Sequence, residues 1–203
     1  MVLLAALAVA STATVAFADI TIGVDVSATG PASSLGIPEK NALEFAPKTI
    51  AGEKIKYVVY DDATDTTTTV QNIKRLITDD KVDVIIGPST TPTTMSVVDI
   101  ANDAKVPLIS MGSASPIVQP VEKRKWIFKV TANDDIMASV MVDHMAKQGI
   151  KSVSIIATDD PYGESNIKAY NDFANKKGIK TLTTEKFKNT HFTLHTTLHT
   201  NEE

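Results

Sequence analysis

From Asp19 to Phe187 the chain alternates short runs of β-branched residues with longer stretches whose apolar residues recur at helical spacing. This alternation constrains the fold more than any other feature. Two parallel strands need a crossover of a dozen or more residues between them, usually a helix, so β and α segments trading places at this pace predict a parallel, doubly wound sheet. "DITIGVDVS", "KIKYVVYDD", "VDVIIGP", "VPLIS" and "WIFKV" read as strands, and "LGIPEKNALEFA", "DTTTTVQNIKRLITDD" and "TTMSVVDIANDAK" as the helices between them. In the second helix Asp65 is the expected N-cap and Val70, Ile73, Leu76 and Ile77 make the apolar stripe. A second block follows: helix "NDDIMASVMVDHMAKQG", strand "SVSIIATDD", helix "YGESNIKAYNDFANKKG" and strand "IKTLTTEKF". The crossover falls near Lys129 to Thr131. With only two βα repeats, the second block is expected to be an incomplete α/β lobe.

Composition narrows the function classes. At 203 residues and 43% hydrophobic content the chain can bury one sizeable core or two small ones. A formal net charge of -4 argues against nucleic acid as a partner, because that mode of binding needs clustered Lys and Arg. The chain has no cysteine, which excludes disulfides, thiol nucleophiles and Cys-ligated zinc. "MVLLAALAVASTATVAFAD" is apolar and small up to Ala18 and closes on Ala16-Phe17-Ala18, a pattern suited to signal peptidase. Residues 1–18 are therefore expected to be a cleaved secretory signal and the product to be periplasmic. Such a signal normally opens with Lys or Arg, and the first basic residue is Lys40, which leaves room for a start upstream of Met1.

In an open α/β sheet, ligands bind beyond the carboxyl ends of the strands, so the informative residues should follow strands directly. Those loops read "SATGPASSLG", "DDATD", "GPSTTPTT", "SMGSASP" and "DDPYGES". Three of them are rich in Ser, Thr, Gly and Pro and contain no Lys or Arg, which offers hydroxyls and backbone N–H groups to a small carboxylate. The same residues also serve as helix caps. Enzyme templates are missing: the chain has no G-x-S-x-G, no Walker A loop, no G-x-G-x-x-G and no H-E-x-x-H. Asp61, Asp62 and Asp65 could hold magnesium or act as an acid/base pair, but a short acidic stretch at a strand end more often caps a helix and stays solvated. His144, on an amphipathic helix with no nucleophile assigned to it, reads as a surface residue.

The series "GPASSLG", "YDDATD", "VDVIIGPSTTPTT", "VPLISMGSASP", "KWIFKV" and "DPYGES" closely resembles, in order, the periplasmic leucine/isoleucine/valine-binding family, the type I solute-binding proteins of ABC importers. The resemblance implies two α/β lobes joined by three crossovers and closing on a ligand between them. It also implies a monomer that performs no chemistry, needs no cofactor or metal, and delivers a small carboxylate to an ABC permease in the membrane. Carried over residue by residue, the ligand contacts fall on Ser89, Thr90 and Thr91 after the third strand and on Gly112, Ser113 and Ala114 after the fourth. Leu35 falls at a first-loop position that is often aromatic, and Tyr162 matches a second-lobe tyrosine that closes over the ligand. Ala114 stands where the amino-acid binders commonly carry a hydroxyl; with Leu35 it makes the first lobe less polar, which leaves aromatic carboxylates and amides open beside branched-chain amino acids. A ligand-sensing domain of an amide or amino-acid regulatory system is the alternative from another class, and an α/β enzyme using Asp61 and Asp62 is a third.

Family members are far longer. With the signal expected at 1–18, the resemblance implies an N-terminal α/β lobe at 19–129 and part of a second lobe at 130–187, which leaves an aberrant tail at 188–203. The product is expected to be truncated and to bind ligand poorly. In the tail, His191, His195 and His199 share one face of a helix or a strand at their spacing of four, as zinc or nickel would require. They follow a stretch of 190 residues holding a single histidine, and the resemblance fades where they begin. A shifted reading frame accounts for that change more simply than a metal site does.

Overall fold

A computed structural model describes residues 19–188. The expected signal peptide and the histidine-bearing tail lie outside the described residues.

Five strands run parallel in the first sheet: β1 (Ile20–Val26), β3 (Glu53–Asp61), β4 (Val84–Ile86), β5 (Leu108–Ser110) and β6 (Ile127–Lys129). An edge strand that pattern reading missed, β2 (Thr49–Ile50), pairs antiparallel with the start of β3. Two residues are too few to show a period. The sheet order is β2-β3-β1-β4-β5-β6. The chain moves outward from β1 to β3, then returns to the other side of β1 for β4, so the topological switch lies between β1 and β4. A crevice beyond the carboxyl ends of these two strands is where an open sheet of this kind receives a ligand.

The helices form where the sequence predicts them, with informative differences. The first, α1 (Ser33–Ala42), starts earlier than its apolar spacing indicates, carries Pro38 inside it and passes into a 3-10 turn at Leu43–Phe45. The next, α2 (Thr66–Thr78), is capped by Asp65, whose carboxylate accepts the Thr68 N–H at 2.7 Å. Ile73 and Leu76 are fully buried beneath it. The stretch "TTMSVVDIANDAK" is two helices and not one, α3 (Thr91–Met95) and α4 (Val98–Ala104). Val97 and Val98 are buried to 0% and 1% exposure. Neighbours on one helix point about 100° apart, so a break at Ser96 and Val97 lets both valines face the core. The Ser96 hydroxyl donates to the Thr93 carbonyl at 2.7 Å, a local bond that competes with the helix ladder.

Beyond β6 come α5 (Asp134–Lys147), β7 (Ser152–Thr158), α6 (Pro161–Lys176) and β8 (Lys180–Phe187). Strands β7 and β8 form a separate two-stranded parallel sheet. Asp160 caps α6 by accepting the Gly163 N–H at 2.9 Å, and Pro161 occupies the first turn, where its missing N–H costs nothing. Two close approaches require glycine. A Cβ on Gly36 of α1 would sit 2.1 Å from the Ser27 carbonyl oxygen, and one on Gly163 of α6 would sit 1.9 Å from that of Thr158. Each glycine lets a helix N-terminus press directly onto the end of the strand before it.

The first sheet carries the main core, in which Leu76, Ile85, Val97 and Leu108 are among the fully buried side chains. A smaller cluster of Val142, Tyr170, Ala174 and Ile179 joins α5 and α6 to the second sheet. On α5 the residues Ile136, Met137, Val140 and Met141 are exposed, so that helix is apolar on two faces and buries one of them.

Candidate functional site

Helices α1 and α3, the loop after β5 and the N-terminus of α6 surround a cleft of about 660 Å³ at the switch point. Seven of the eight residues anticipated from sequence line it: Leu35, Ser89, Thr90, Thr91, Gly112 and Ser113 on one side and Tyr162 on the other. Ala114 does not. Its side chain is 1% exposed inside the main core, and its N–H donates to Thr91 Oγ1 at 3.3 Å. Its methyl group is core packing, so replacing a hydroxyl by alanine there leaves the polarity of the cleft surface unaltered. Pattern reading overlooked Met111, Thr64 and Asp159, which also line the cleft.

Each strand-end loop is held by its own polar contacts. The Ser27 N–H donates to Ser89 Oγ at 2.9 Å, and Ser89 Oγ in turn donates to the Glu39 carboxylate. Burial raises the pKa of Glu39 above the usual carboxylate range; the bond from Ser89 opposes this and the charge of Asp62 adds to it. Thr90 caps α3: its Oγ1 accepts the Thr93 N–H at 3.3 Å, and the two hydroxyls lie 2.8 Å apart. Because Thr93 Oγ1 donates its proton to the Thr90 carbonyl at 3.1 Å, Thr90 supplies the proton between the hydroxyls. After β5, Gly112 donates its N–H to Ser110 Oγ at 2.9 Å and accepts at its carbonyl from Thr131 at 2.7 Å. Lys129 donates to the Ser113 carbonyl, its pKa lowered by burial against the raising influence of Asp134 and Asp135.

The acidic residues divide by role. Asp65 is the cap already described. Asp61, exposed, closes the turn by accepting the Ala63 N–H at 2.9 Å and the Thr29 N–H at 3.2 Å. The expectation that this stretch is solvated fails for Asp62, which is 0% exposed and accepts the Thr64 N–H at 2.8 Å, while the nearby Thr69 hydroxyl gives its proton to the Asp65 carbonyl at 2.8 Å. Beside it lies Asp25 of β1, also 0% exposed, accepting from Asn72 Nδ2 at 2.8 Å while its Oδ2 meets no partner. Burial pushes the Asp25 pKa up to about 8, against the Asn72 bond and with help from the Asp62 charge. An aspartate within a strand covered on both faces is the signal that would have revealed it. Among the described residues no group of three or more His, Asp or Glu is placed to hold a metal. His144 is exposed.

One carboxylate spans the two halves. Asp134, 2% exposed at the start of α5, accepts at Oδ2 both the Ser115 N–H, at 3.1 Å, and the hydroxyl of Ser165 on α6. It ties the loop after β5 to the helix that carries Tyr162.

Residues 19–193 match a family model described as periplasmic binding protein. A Leu/Ile/Val-binding protein homolog 3 from Brucella melitensis is 29% identical over 187 residues, 87% of this chain and 50% of the relative. Among solved structures, an extracellular ligand-binding receptor from Rhodopseudomonas palustris HaA2 superposes with a TM-score of 0.84 at 41% identity, covering 87% of this chain and 49% of that one. A solute-binding protein of an ABC transporter from Rhodopseudomonas palustris BisB5, in complex with 3,4-dihydroxybenzoic acid, superposes with a TM-score of 0.77 at 28% identity over 84% of this chain and 47% of that one. The chain spans about half the length of the relatives it matches.

Proposed function

The chain belongs to the periplasmic binding protein family, and from that premise we propose that it captures a small carboxylate-bearing solute in the switch-point cleft, as the binding component of an ABC importer in the periplasm. The observation that carries this reading is the chemistry of the cleft wall. Neutral hydroxyls and backbone groups from Ser89, Thr90, Thr91, Gly112 and Ser113 face a lone aromatic, Tyr162, across a cavity of solute size. Leu35 contributes an apolar patch on the first side. Ala114 serves the site by packing beneath it. The first unit, 19–129, would hold the solute, and the second, 130–187, would bring Tyr162 over it, with the division at Lys129 to Thr131 acting as hinge.

Two solute classes have support. The Brucella relative carries a branched-chain amino-acid name. The BisB5 relative holds an aromatic acid. The partner after capture would be a membrane permease, reached by a monomer that performs no chemistry. The test is an NMR titration of the labelled chain with leucine, isoleucine, valine and 3,4-dihydroxybenzoate. Shifts of the Thr90, Thr91 and Ser113 amides that weaken in Tyr162→Ala are expected; cleft amides unmoved at tens of millimolar of every probe would remove the reading.

A further inference from the structure

The hydroxyls around the cleft differ in where their protons go. Thr64 Oγ1 donates to the Thr29 carbonyl at 3.0 Å, Thr158 Oγ1 donates to Asp160 at 2.9 Å, and Thr90 Oγ1 is consumed by Thr93 at 2.8 Å. Thr91 Oγ1 accepts from Ala114 N–H and has no acceptor for its own proton among the described residues. Ser113, too, makes no side-chain hydrogen bond among them. These last two hydroxyls can donate to a ligand oxygen.

Ser89 is the opposite case. Its proton is committed to Glu39, and one lone pair is committed to the Ser27 N–H. A serine hydroxyl has one donor and two acceptor positions, and an ionised carboxylate can only accept. With Glu39 fixed on α1, the hydroxyl cannot rotate toward the cleft without breaking a charge-assisted bond. Whatever meets Ser89 Oγ from the cleft must therefore bring its own proton.

We propose that Glu39 is a positioning residue that fixes the Ser89 hydroxyl as an acceptor, so that the cleft selects an acid carrying an additional N–H or O–H donor over a bare carboxylate. This deepens the solute-capture reading and rests on it. Thr91 and Ser113 would take the acid oxygens, and Ser89, backed by the Glu39 charge, would take the donor. Pattern reading of a single chain cannot find this relation, because the two partners lie 50 residues apart and Glu39 falls in a helix with an ordinary mixed face.

Leucine and 4-methylpentanoate test it, since they share a carbon skeleton and differ by the amine. Titrated into the labelled full chain and followed at the Thr90, Thr91 and Ser113 amides, leucine should reach half-saturation at roughly tenfold lower concentration, the worth of one hydrogen bond to a charged donor. In Glu39→Met, which keeps the side-chain bulk but frees the Ser89 proton, the ratio should fall to within about twofold; Ser89→Ala should do the same. Glu39→Gln retains an acceptor oxygen and should restore discrimination, which a packing role for Glu39 would not require. A ratio unchanged in Glu39→Met, or no discrimination in the parent chain, overturns the proposal. A measurement without ligand separates this from failure of the capture reading. The Glu39 carboxyl, followed by carbon NMR, should titrate at higher pH in Ser89→Ala, because the bond that stabilises its ionised form is gone. If that titration does not move, the hydroxyl assignment is wrong whatever the probes do; if it moves while every cleft amide stays silent, the assignment of the hydroxyl stands, and solute selection falls with solute capture.

Discussion

The two halves of the molecule are written in the same βα repeat and differ in how far the repeat is closed. Around the first sheet eleven apolar residues are buried in one cluster; around the second there are four, and no residue of β7 or β8 is fully buried. Local devices are equally good in both. Asp65 caps α2 as Asp160 caps α6, and Gly36 meets a strand end as Gly163 does. Secondary structure thus forms from local chemistry in either half, whereas packing depends on how many neighbours cover the sheet. A two-stranded sheet with one layer of helices is near the lower limit of independent stability.

Predictions follow from pressing on that difference, the largest effect first. Asp25 makes the first half pH-dependent. Its carboxyl, held at about 8 when folded and near 4 when unfolded, binds more protons in the folded chain between those values, so its contribution to stability is fully present below about pH 4 and is lost as pH rises through about 8. Between pH 5 and 8 the parent chain should lose about 4 kcal/mol that Asp25→Asn does not lose. Denaturant unfolding at the two pH values, read by the single tryptophan, Trp126, checks this, because that residue lies just before β6. Equal pH slopes in the two proteins would show that Asp25 is not the titrating group.

Leu76→Ala opens a void in the better-packed half and should cost about 3 kcal/mol by the same fluorescence. Ile155 amide exchange in the second half should change far less, and equal losses at both reporters would show one cooperative unit. Gly36→Ala and Gly163→Ala form a matched pair, each forcing a methyl onto a strand carbonyl for about 2 kcal/mol. The first should register at Trp126 and the second at Ile155; reversed reporters would refute the division near Lys129. Smallest of all, Met137→Lys on the open face of α5 should alter stability by less than about 0.5 kcal/mol in denaturant unfolding. A large loss there would mean that this face is packed in solution.

Much of the fold was legible in the sequence for the reason that parallel strands declare themselves. "VDVIIGP" and "VPLIS" are continuous apolar runs because both faces of the first sheet are covered. What escaped was short or non-local. β2 has two residues, and the break between α3 and α4 arises from the need to bury Val97 and Val98 together, which is a property of the sheet beneath them. The cleft loops were legible as strand ends. Their support was not: Asp62 read as a solvated charge and Asp25 and Glu39 drew no reading, because only the folded chain brings Asn72 to Asp25, Ser89 to Glu39 and the Thr64 N–H to Asp62. Ala114 illustrates the reverse limit: it stands in the anticipated loop but turns into the core, and the direction of a side chain is not written in the pattern of a single chain.

Asp134 has a further consequence for timing. A single carboxylate oxygen accepts from the Ser115 N–H on one half and from the Ser165 hydroxyl on the other, out of reach of competing water. Asp134 heads α5 and travels with α6, so swinging the second half outward about Lys129 to Thr131 would give up the Ser115 contact and keep the Ser165 one. The joint thus carries its own catch, one that Asp134→Ala would remove and that Ser165→Ala would leave in place.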